Sequence, residues 1–428
     1  MPAILDPTSS AYKKARRQYI KATKNRPQDV ETDWTPFRAA EKKFKARFPP
    51  PDLSGVLDLA TLDPARADEI SQGLWAGRAD AVEYDILAKN VVTIPRIPAL
   101  VPGLVILPSF VSEEQQRRLV CWALADHAKY PNDTNLDIHY IVPPQGVWCK
   151  HLQSLSDPDA IQPIPPKATQ ENGENSAEAE PKGPRKLVNN TPASVGTLPA
   201  INATPKLPPP PSATVHPTVP SALLYKLRWA NIGWFYHWGS KQYDFTKGKG
   251  YIDPNLREIC RNAVAAVDWD RVFTGTEDQW PNGIPEWKDW DNTYEPDAGI
   301  INFYQEKDTL MAHVDRSEVC ATSPLVSVSL GNAAVFLIGS QTRDTEPVPI
   351  LLRSGDIVIM SGPACRRAYH GVPRILEGAL PPHLRKETLS EDQRSDWAPY
   401  ENYIRTTRIN VNVRQVFPKG FEPTNEGL

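Results

Sequence analysis

Three residues with metal-ligating side chains occur at informative spacings in the second half of the chain. His313 and Asp315 are two residues apart in LMAHVDRSE, so on a strand their side chains point the same way. His370, in RRAYHGVPRI, comes 55 residues after Asp315, a separation that two β-hairpins would span. Two imidazoles and one carboxylate are the protein ligands of non-haem iron(II) oxygenases, and zinc is the competing ion. The alternative is a buried His hydrogen-bonded to a nearby Asp.

A row of hydrogen-bond donors lies further along the chain, in RINVNVRQVF. Arg408, Asn410, Asn412 and Arg414 alternate with Ile and Val, so one face of a strand is polar and the other apolar. Arginine is well suited to bind a carboxylate inside a fold, such as the far carboxylate of a keto acid that chelates iron. Six residues of strand span about 20 Å, so the two arginines cannot hold the same oxygen atoms. We expect one to bind that carboxylate and the other to work nearer the metal.

These segments together resemble one protein family. NFYQEKDTLMAHVDRSE, LRSGDIVIMSGPACRRAYHGVPRI and RINVNVRQVF are similar, in order and spacing, to motifs of the AlkB-type 2-oxoglutarate and iron(II)-dependent dioxygenases. NLDIHY, LLYKLRWANIGWFYHW and SLGNAAVFLIG favour the AlkB homologue one branch. The resemblance covers residues 100–153 and 221–418. It implies iron(II) as the metal, 2-oxoglutarate as co-substrate and O2 as oxidant.

The resemblance also assigns roles to individual residues. The catalytic residues and iron ligands would be His313, Asp315 and His370. The residues that bind 2-oxoglutarate would be Asn302, Tyr304, Arg408, Asn410 and Arg414. Arg408 would hold the distal carboxylate, and Arg414 would lie near the end that chelates the metal. The sequence departs from the family at Asn412, where the family usually has Thr, and this puts the local hydrogen-bond pattern in doubt.

The activity that the resemblance implies is oxidative removal of a methyl group from a nitrogen of a nucleobase, with release of formaldehyde, succinate and CO2. The substrate would be N1-methyladenine in tRNA or N6-methyladenine in DNA, and tRNA is favoured because partly unpaired RNA lowers the cost of flipping a base. Two alternatives remain at this point. One is a 2-oxoglutarate-dependent oxygenase that acts on protein, and the other is a non-catalytic nucleic-acid-binding module.

Substrate contacts are expected from two further segments. A flipped base stacks on aromatic side chains, and Trp234 and Tyr236 in GWFYHW would belong to a nucleotide-recognition lid. The alternative for these side chains is a core role. Arg366, just before His370, would contact a phosphate of the substrate together with Arg367.

The elements that position these residues are short strands. PLVSVSLGNAAVFLIG, with Gly331-Asn332, and PVPILLRSGDIVIMSG, with Ser354-Gly355-Asp356, predict two hairpins. A series of such strands predicts a sandwich, jelly roll or barrel. The resemblance narrows this to a mainly β fold with flanking helices (α+β), built on a double-stranded β-helix, or jelly-roll, core.

The chain is expected to divide into five parts. Residues 1–99 form a basic helical N-terminal extension, and 100–153 a supporting strand and helix with the start of the lid. Residues 154–220 are rich in Pro, Ala, Thr and Asn and nearly lack aromatic residues, so we expect a disordered insertion. Residues 221–418 form the jelly-roll core with the lid, and 419–428 a tail.

Composition limits the class of protein. The 44 prolines in 428 residues are about twice the usual share, which predicts long irregular segments. The five scattered cysteines, without a CxxC pair, indicate neither a disulfide framework nor a zinc knuckle. The chain contains no apolar run long enough for a membrane span, so we expect an intracellular monomer in the nucleus, the cytoplasm or the mitochondrion.

Positive charge is local rather than general. The net charge is −3, but residues 1–50 contain 12 Lys or Arg against 5 Asp or Glu. SAYKKARRQYIKATKNR and RAAEKKFKARFPP fit two short basic helices that could lie on phosphates. Solvated helices, a frayed arm and a mitochondrial targeting sequence are the alternatives.

Overall fold

The structure of the chain is a computed structural model. It describes residues 6–24, 34–72, 75–78, 85–88, 91–93, 102–168, 191–280 and 284–421. No helix within these ranges is long and apolar enough to cross a membrane.

The core of the fold consists of two antiparallel sheets. The strands are β1 (Asp85–Ala88), β2 (Val91–Thr93), β3 (Leu104–Leu107), β4 (Trp229–His237), β5 (Gln242–Lys249), β6 (Ala298–Gln305), β7 (Leu310–His313), β8 (Leu325–Gly331), β9 (Ala334–Ile338), β10 (Val348–Leu352), β11 (Ile357–Met360), β12 (His370–Ile375) and β13 (Thr407–Arg414). The major sheet has the order β1-β2-β3-β11-β8-β13-β6-β4-β5, and the minor sheet the order β10-β9-β12-β7. The predicted class, a mainly β jelly roll with flanking helices, is confirmed.

Helices flank these sheets. The α-helices are α1 (Ser10–Thr23), α2 (Pro36–Lys45), α3 (Ala67–Gln72), α4 (Glu113–Cys121), α5 (Gly146–Ser156), α6 (Leu198–Ala203), α7 (Pro220–Leu224), α8 (Pro254–Ala265), α9 (Trp269–Phe273), α10 (Trp290–Thr293), α11 (Gly362–Cys365) and α12 (Glu391–Ile404). A π-helix spans Trp122–His127, and short 3-10 helices span Leu59–Leu62, Pro64–Arg66, Asn135–Ile138, Pro158–Ala160, Val195–Thr197, Glu277–Gln279, Glu286–Asp289, Pro382–Leu384 and Lys386–Thr388. Helix α4 begins with the capping box that Ser112 and Gln115 form.

The two predicted hairpins are wrong. β8 lies in the major sheet and β9 in the minor sheet, so the turn at Gly331 carries the chain from one sheet to the other. The turn at Gly355 does the same between β10 and β11. Both glycines have a positive φ, of 84° and 88°, as a tight turn requires. Turn residues report the local bend, whereas pairing with distant strands places β8 beside β11 and β13, and β9 beside β10 and β12.

The alternating pattern of RINVNVRQVF has the predicted two faces. Ile409, Val411 and Val413 are fully buried and pack with the large core cluster that includes side chains of α4, α5, α8 and α12. The polar residues of β13 point the other way, into the space between the two sheets. The same strand thus contributes to the core and to a cavity.

The N-terminal extension supports the strand that ends at His313. Both basic helices predicted there form, and Phe37 and Phe44 of α2 are buried with residues of the minor sheet. Glu41 Oε1 accepts a hydrogen bond of 2.6 Å from the backbone N–H of Ala312, and Arg343 Nη2 donates one of 2.9 Å to the Ala312 carbonyl. β7, an edge strand, is therefore fixed on both of these backbone groups.

The prediction of a disordered insertion does not hold for the described parts of 154–220. Residues 191–220 contain α6, and its Leu198 and Ile201 are buried in a cluster with Tyr243 and Phe245 of β5. The segment has few apolar residues of its own, but those few pack on aromatic side chains that lie elsewhere in the chain. Residues 169–190 lie outside the described residues.

Deletion of residues 158–216 is expected to lower the melting temperature, because it removes the buried Ile164, Leu198 and Ile201. Ile201→Ala alone should cost about 2–5 kcal/mol of the free energy of unfolding, the usual range for such a truncation. Thermal unfolding followed by circular dichroism measures this. Leu207→Ala is the control, since Leu207 is 78% exposed and should have little effect. An unchanged melting temperature for Ile201→Ala would show that α6 does not pack as described.

Stability is also expected to depend on Asp297, which lies where β6 begins. Burial raises the pKa of Asp297 from 3.8 to about 7, although its Oδ1 accepts a 2.7 Å hydrogen bond from Val416 N. The folded protein therefore keeps a proton that the unfolded chain releases above about pH 4, so this contribution to stability is complete below pH 4 and is lost as pH rises through 7.

Asp297→Asn keeps an acceptor for Val416 N without the charge. At pH 8 we expect the variant to be more stable than the parent by up to about 4 kcal/mol, a difference that shrinks as pH falls toward 4. Denaturant unfolding of both proteins across this range measures it. A difference that does not vary with pH would contradict a raised pKa for Asp297.

Candidate active site

A cavity of about 480 Å³ lies between the two sheets. Its walls come from β6, β7, β8, β11, β12 and β13, so the jelly roll itself positions the lining side chains. Nine of the eleven residues predicted from the sequence line this cavity: Tyr236, Asn302, Tyr304, His313, Asp315, His370, Arg408, Asn410 and Arg414. The other two, Trp234 and Arg366, do not.

His313, Asp315 and His370 meet at one side of the cavity. Each offers a ligand atom within 4.8 Å of the other two, and they form the only such metal-compatible group among the described residues. His313 and His370 are direct cross-strand partners on β7 and β12, and their ring centroids lie 4.4 Å apart. Asp315 Oδ1 lies 3.6 Å from His313 Nε2. The predicted convergence of the three residues is therefore observed in the fold.

Backbone carbonyls orient both imidazoles. His313 Nδ1 lies 3.0 Å from the Met311 carbonyl, and His370 Nδ1 lies 3.1 Å from the Ala368 carbonyl. Since a carbonyl can only accept, Nδ1 carries the proton in each neutral ring and Nε2 keeps a lone pair. Burial, and next the neighbouring His313, lower the pKa of His370 to about 4, so its imidazole is neutral at physiological pH. Neutral Nε2 atoms are what a metal ion binds.

The third side chain of the group is a carboxylate held among cations. Burial by itself would raise the pKa of Asp315, but Arg414, the two histidines and Arg366 hold that pKa below its ordinary value. Arg414 Nη1 lies 3.6 Å from Asp315 Oδ2, and Arg366 Nη1 lies 3.9 Å from the same oxygen. Asp315 Oδ2 has no hydrogen-bond partner among the described residues. A buried oxygen of this kind is suited to a metal ligand.

Glu318 is a site residue that the sequence reasoning missed. It is almost fully buried, and its carboxylate accepts a 2.8 Å hydrogen bond from Arg414 Nη1 and lies 3.5 Å from Arg366 Nη2. Two arginines and two carboxylates therefore balance one another beside the metal-compatible group. The only signal in the sequence is an acidic residue three positions after Asp315, which predicts nothing by itself.

The guanidinium of Arg408 is a second charged group in the cavity wall. It is 1% exposed, and its Nη2 donates a 2.9 Å hydrogen bond to Ser329 Oγ. Its Nε and Nη1 have no hydrogen-bond partner among the described residues. Burial lowers the pKa of Arg408 to about 10, which still leaves the guanidinium charged at neutral pH. A buried cation with two unpaired donors is a binding site for an anion.

Neighbouring side chains complete this part of the cavity. Tyr304 and Asn302 on β6 face Arg408 and Asn410 on β13 as direct cross-strand partners. The Arg408 guanidinium lies 5.7 Å from the centre of the Tyr304 ring. Asn410 Nδ2 donates to Ser327 Oγ and to the Val328 carbonyl, at 2.8 and 3.0 Å. All four side chains that the resemblance associates with 2-oxoglutarate at this end are therefore adjacent.

Asn412 has a definite contact in place of the family's usual Thr. Its Oδ1 accepts a 2.9 Å hydrogen bond from Arg414 Nη2. This hydrogen bond helps to fix Arg414 beside Asp315.

Trp234 and Arg366 are not the substrate contacts that were predicted. Trp234 packs edge-on against Phe245 and Phe417, with ring centroids 5.4 and 5.8 Å apart, and does not line the cavity. Arg366 is 2% exposed and donates to the Ser323 carbonyl at 3.1 Å, so it cannot reach a phosphate. Only Tyr236 of the proposed lid residues lines the cavity, together with Trp238.

Comparison with known families agrees with this geometry. Residues 208–414 match the family described as the 2OG-Fe(II) oxygenase superfamily, a range that includes the metal-compatible group and both cavity arginines. Over this segment the chain is similar to the 2-oxoglutarate and iron(II)-dependent oxygenases, and AlkB-type proteins are among its relatives.

The chain is similar to three relatives that are named as members of the AlkB homologue one branch. It is 34% identical to nucleic acid dioxygenase ALKBH1 of Homo sapiens, over 46% of this chain and 48% of the relative, and 34% identical to DNA N(6)-methyladenine demethylase ALKBH1A of Arabidopsis thaliana, over 46% and 51%. The chain thus spans about half the length of these two curated relatives. It is 28% identical to tRNA demethylase abh1 of Schizosaccharomyces pombe, over 89% of this chain and 96% of the relative.

The cavity residues fit the cofactor of the matched family, iron(II), and its co-substrates 2-oxoglutarate and O2. Two Nε2 lone pairs and the Asp315 carboxylate supply three ligands and leave other positions of an octahedral ion open. The unpaired donors of Arg408 suit the distal carboxylate of a keto acid. The donor set alone would accept zinc as well, and the family favours iron.

Proposed function

We propose that this protein is a 2-oxoglutarate- and iron(II)-dependent demethylase of N-methylated bases in nucleic acid, which releases formaldehyde, succinate and CO2. The proposal rests on one cavity that contains both a His-Asp-His group and the buried Arg408, whose Nε and Nη1 have no hydrogen-bond partner among the described residues. A scaffold without catalysis has no use for that pair of features, since each unpaired buried group costs stability. This weighs against the non-catalytic alternative.

The chain's own residues have defined tasks in this proposal. His313 and His370 present Nε2 lone pairs because each Nδ1 keeps its proton and donates it to a backbone carbonyl, that of Met311 or Ala368. Asp315 stays ionised beside Arg414. Arg408 binds the distal carboxylate of 2-oxoglutarate and so fixes the orientation of this co-substrate. When bound, iron(II) with 2-oxoglutarate and O2 supplies the oxidising power that hydroxylates the N-methyl group, and the product then collapses to formaldehyde and the unmodified base.

Aromatic side chains support a base as the substrate. Tyr236 and Trp238 line the same cavity as the metal-compatible group, and their rings meet edge-to-face with centroids 5.2 Å apart. An unpaired or flipped base can stack on such side chains, which a base inside a duplex cannot do. Burial raises the pKa of Tyr236 to about 12, so its hydroxyl stays protonated and can donate to a base.

The names of the relatives support an N-methyladenine substrate. One is named a DNA N6-methyladenine demethylase and another a tRNA demethylase. We propose N1-methyladenine in tRNA as the preferred substrate and N6-methyladenine in DNA as the second, because unpaired RNA lowers the cost of presenting the base. We further propose that the protein acts as an intracellular monomer, in the nucleus, the cytoplasm or the mitochondrion.

Formaldehyde release from three substrates tests this function. Purified full-length protein with iron(II), ascorbate and 2-oxoglutarate is given an N1-methyladenine stem-loop RNA, an N6-methyladenine DNA oligonucleotide or an N-methylated peptide. The proposal expects formaldehyde from the RNA, with less from the DNA. Formaldehyde from the peptide alone would instead support the protein-directed oxygenase.

A further inference from the structure

A second cavity, of about 750 Å³, lies beside the first and is not used in the proposed reaction. The two cavities share Tyr236 and Trp238, so these side chains stand between them. Phe235 and His237, the neighbours of Tyr236 along β4, line only the second cavity, which we call the outer groove. The outer groove is thus adjacent to the proposed site of the methylated base, and Tyr236 and Trp238 form the wall that they share.

Aromatic rings form one wall of the outer groove. Trp229 and Trp238 are stacked with centroids 5.0 Å apart and an interplanar angle of 25°. Trp238 is 37% exposed although its ring is large and apolar. Phe235 lies beneath Lys247, whose Nζ is 3.5 Å from the centre of the ring. Stacked rings beside an ammonium group are the surface on which single-stranded nucleic acid binds.

The charges that line the groove are three cations and two carboxylates. The cations are Lys167, Lys206 and Lys247, and the carboxylates are Asp133 and Asp137. Asp137 is occupied by its own turn, since its Oδ2 accepts from the N–H and the hydroxyl of Thr134 at 2.8 and 2.7 Å. Asp133 Oδ2 lies 3.3 Å from Lys247 Nζ and is half-exposed. The three cations exceed the two carboxylates by one positive charge, which suits a phosphate group.

The opposite wall is a proline run from the segment that was expected to be disordered. Residues 208–211 are four consecutive prolines, and hydrogen bonds hold both of their ends. His237 Nε2 lies 3.0 Å from the Leu207 carbonyl, and Ser212 N donates to His139 Nδ1 at 3.2 Å. A wall fixed at both ends needs little further ordering when a ligand binds.

We propose that the outer groove binds the nucleotide next to the methylated one in single-stranded nucleic acid, with its base against Phe235 and Trp238 and its phosphate near Lys247. This rests on the proposed function, because the neighbouring cavity must hold the methylated base. The adjacency of the two cavities, the aromatic wall and the excess of one positive charge favour a polynucleotide over a polypeptide as the occupant.

Binding of unmethylated oligoadenylate of one, two and four nucleotides to the full chain tests the groove without turnover. Fluorescence anisotropy should show tighter binding as the length rises from one to two nucleotides. Phe235→Ala should weaken binding of the tetranucleotide about fivefold, the lower end of the effect of one stacked base. Lys247→Ala should lower the slope of log affinity against log salt by about 0.7, as loss of one phosphate contact predicts.

Lys249→Ala is the matched control, because it removes the same charge from the same strand outside the groove. Equal effects of Lys247→Ala and Lys249→Ala, or a length dependence that survives Phe235→Ala, would overturn the proposal and leave a polypeptide as the candidate occupant. Formaldehyde assays with methylated mono- and tetranucleotides separate the two proposals. If turnover has the same KM with the mononucleotide and the tetranucleotide, the groove proposal fails and the demethylase proposal stands. If binding depends on the groove but no methylated substrate is turned over, the demethylase proposal fails.

Discussion

His313→Ala is expected to abolish the conversion of 2-oxoglutarate to succinate while the fold stays intact. The change removes one of the three atoms that meet within 4.8 Å. Loss of a group that merely orients a ligand typically costs 10- to 100-fold in metal affinity or activity, so loss of a ligand itself should exceed about 100-fold. Succinate release and the affinity for Co(II), followed by its absorption spectrum, measure the two consequences. Asp315→Ala should give the same result.

His216→Ala is the matched control, because His216 is an exposed histidine outside the cavity. It should keep full metal affinity and turnover. Retained turnover in His313→Ala, with an unchanged circular dichroism spectrum, would mean that the metal is held elsewhere.

Arg408→Lys is expected to raise the concentration of 2-oxoglutarate needed for half-maximal turnover by about 10- to 100-fold. Lysine keeps the charge but replaces a planar fork with a point charge, so one charge-assisted hydrogen bond to the distal carboxylate is lost, at about 1.5–3 kcal/mol. The bond to Ser329 Oγ would also be changed. The KM for 2-oxoglutarate, measured at saturating methylated substrate, gives the effect.

Arg405→Lys tests the specificity of that result. Arg405 lies just before β13, its side chain is 59% exposed, and it pairs with Glu401. Its KM for 2-oxoglutarate should equal that of the parent protein. If Arg408→Lys instead left the KM unchanged and raised only the requirement for the methylated substrate, the anion at Arg408 would be a phosphate of nucleic acid.

The sequence predicted those parts of the fold and the site that depend on spacing. Strand alternation in residues 407–414 placed Arg408, Asn410 and Arg414 on one face, and the structure places them so. His313 and Asp315 were two residues apart on a strand and its end, which the structure also has. The distant His370 could be linked to them only through the resemblance and a presumed rolled sheet.

The parts that the sequence did not predict depend on tertiary partners. In the sequence Arg366 has the pattern of an exposed loop arginine, but in the structure it is buried beside the carboxylates of Asp315 and Glu318. Gly331-Asn332 has the chemistry of a hairpin turn, but the following strand joins the other sheet. Trp234 packs on Phe245 and Phe417 and does not line the cavity. None of these outcomes leaves a periodic signal in the chain.

The order of the described parts of the proline-rich segment, residues 154–220, also could not be predicted from its composition. Few apolar residues predicted disorder, since such a segment cannot bury enough surface by itself. Leu198 and Ile201 instead pack on aromatic residues of β5, which follow in the chain. Composition counts what a segment contains, whereas order depends on what it contacts.

The most direct test of the proposed demethylase is to count formaldehyde and succinate from the same reaction on an N1-methyladenine stem-loop RNA, in parent protein and in His313→Ala. We expect about one formaldehyde per succinate in the parent, unmethylated RNA as the product, and neither compound from the variant. Succinate without formaldehyde from every methylated RNA and DNA oligonucleotide would contradict it, because the iron centre would then be intact and the substrate would be something other than a methylated base.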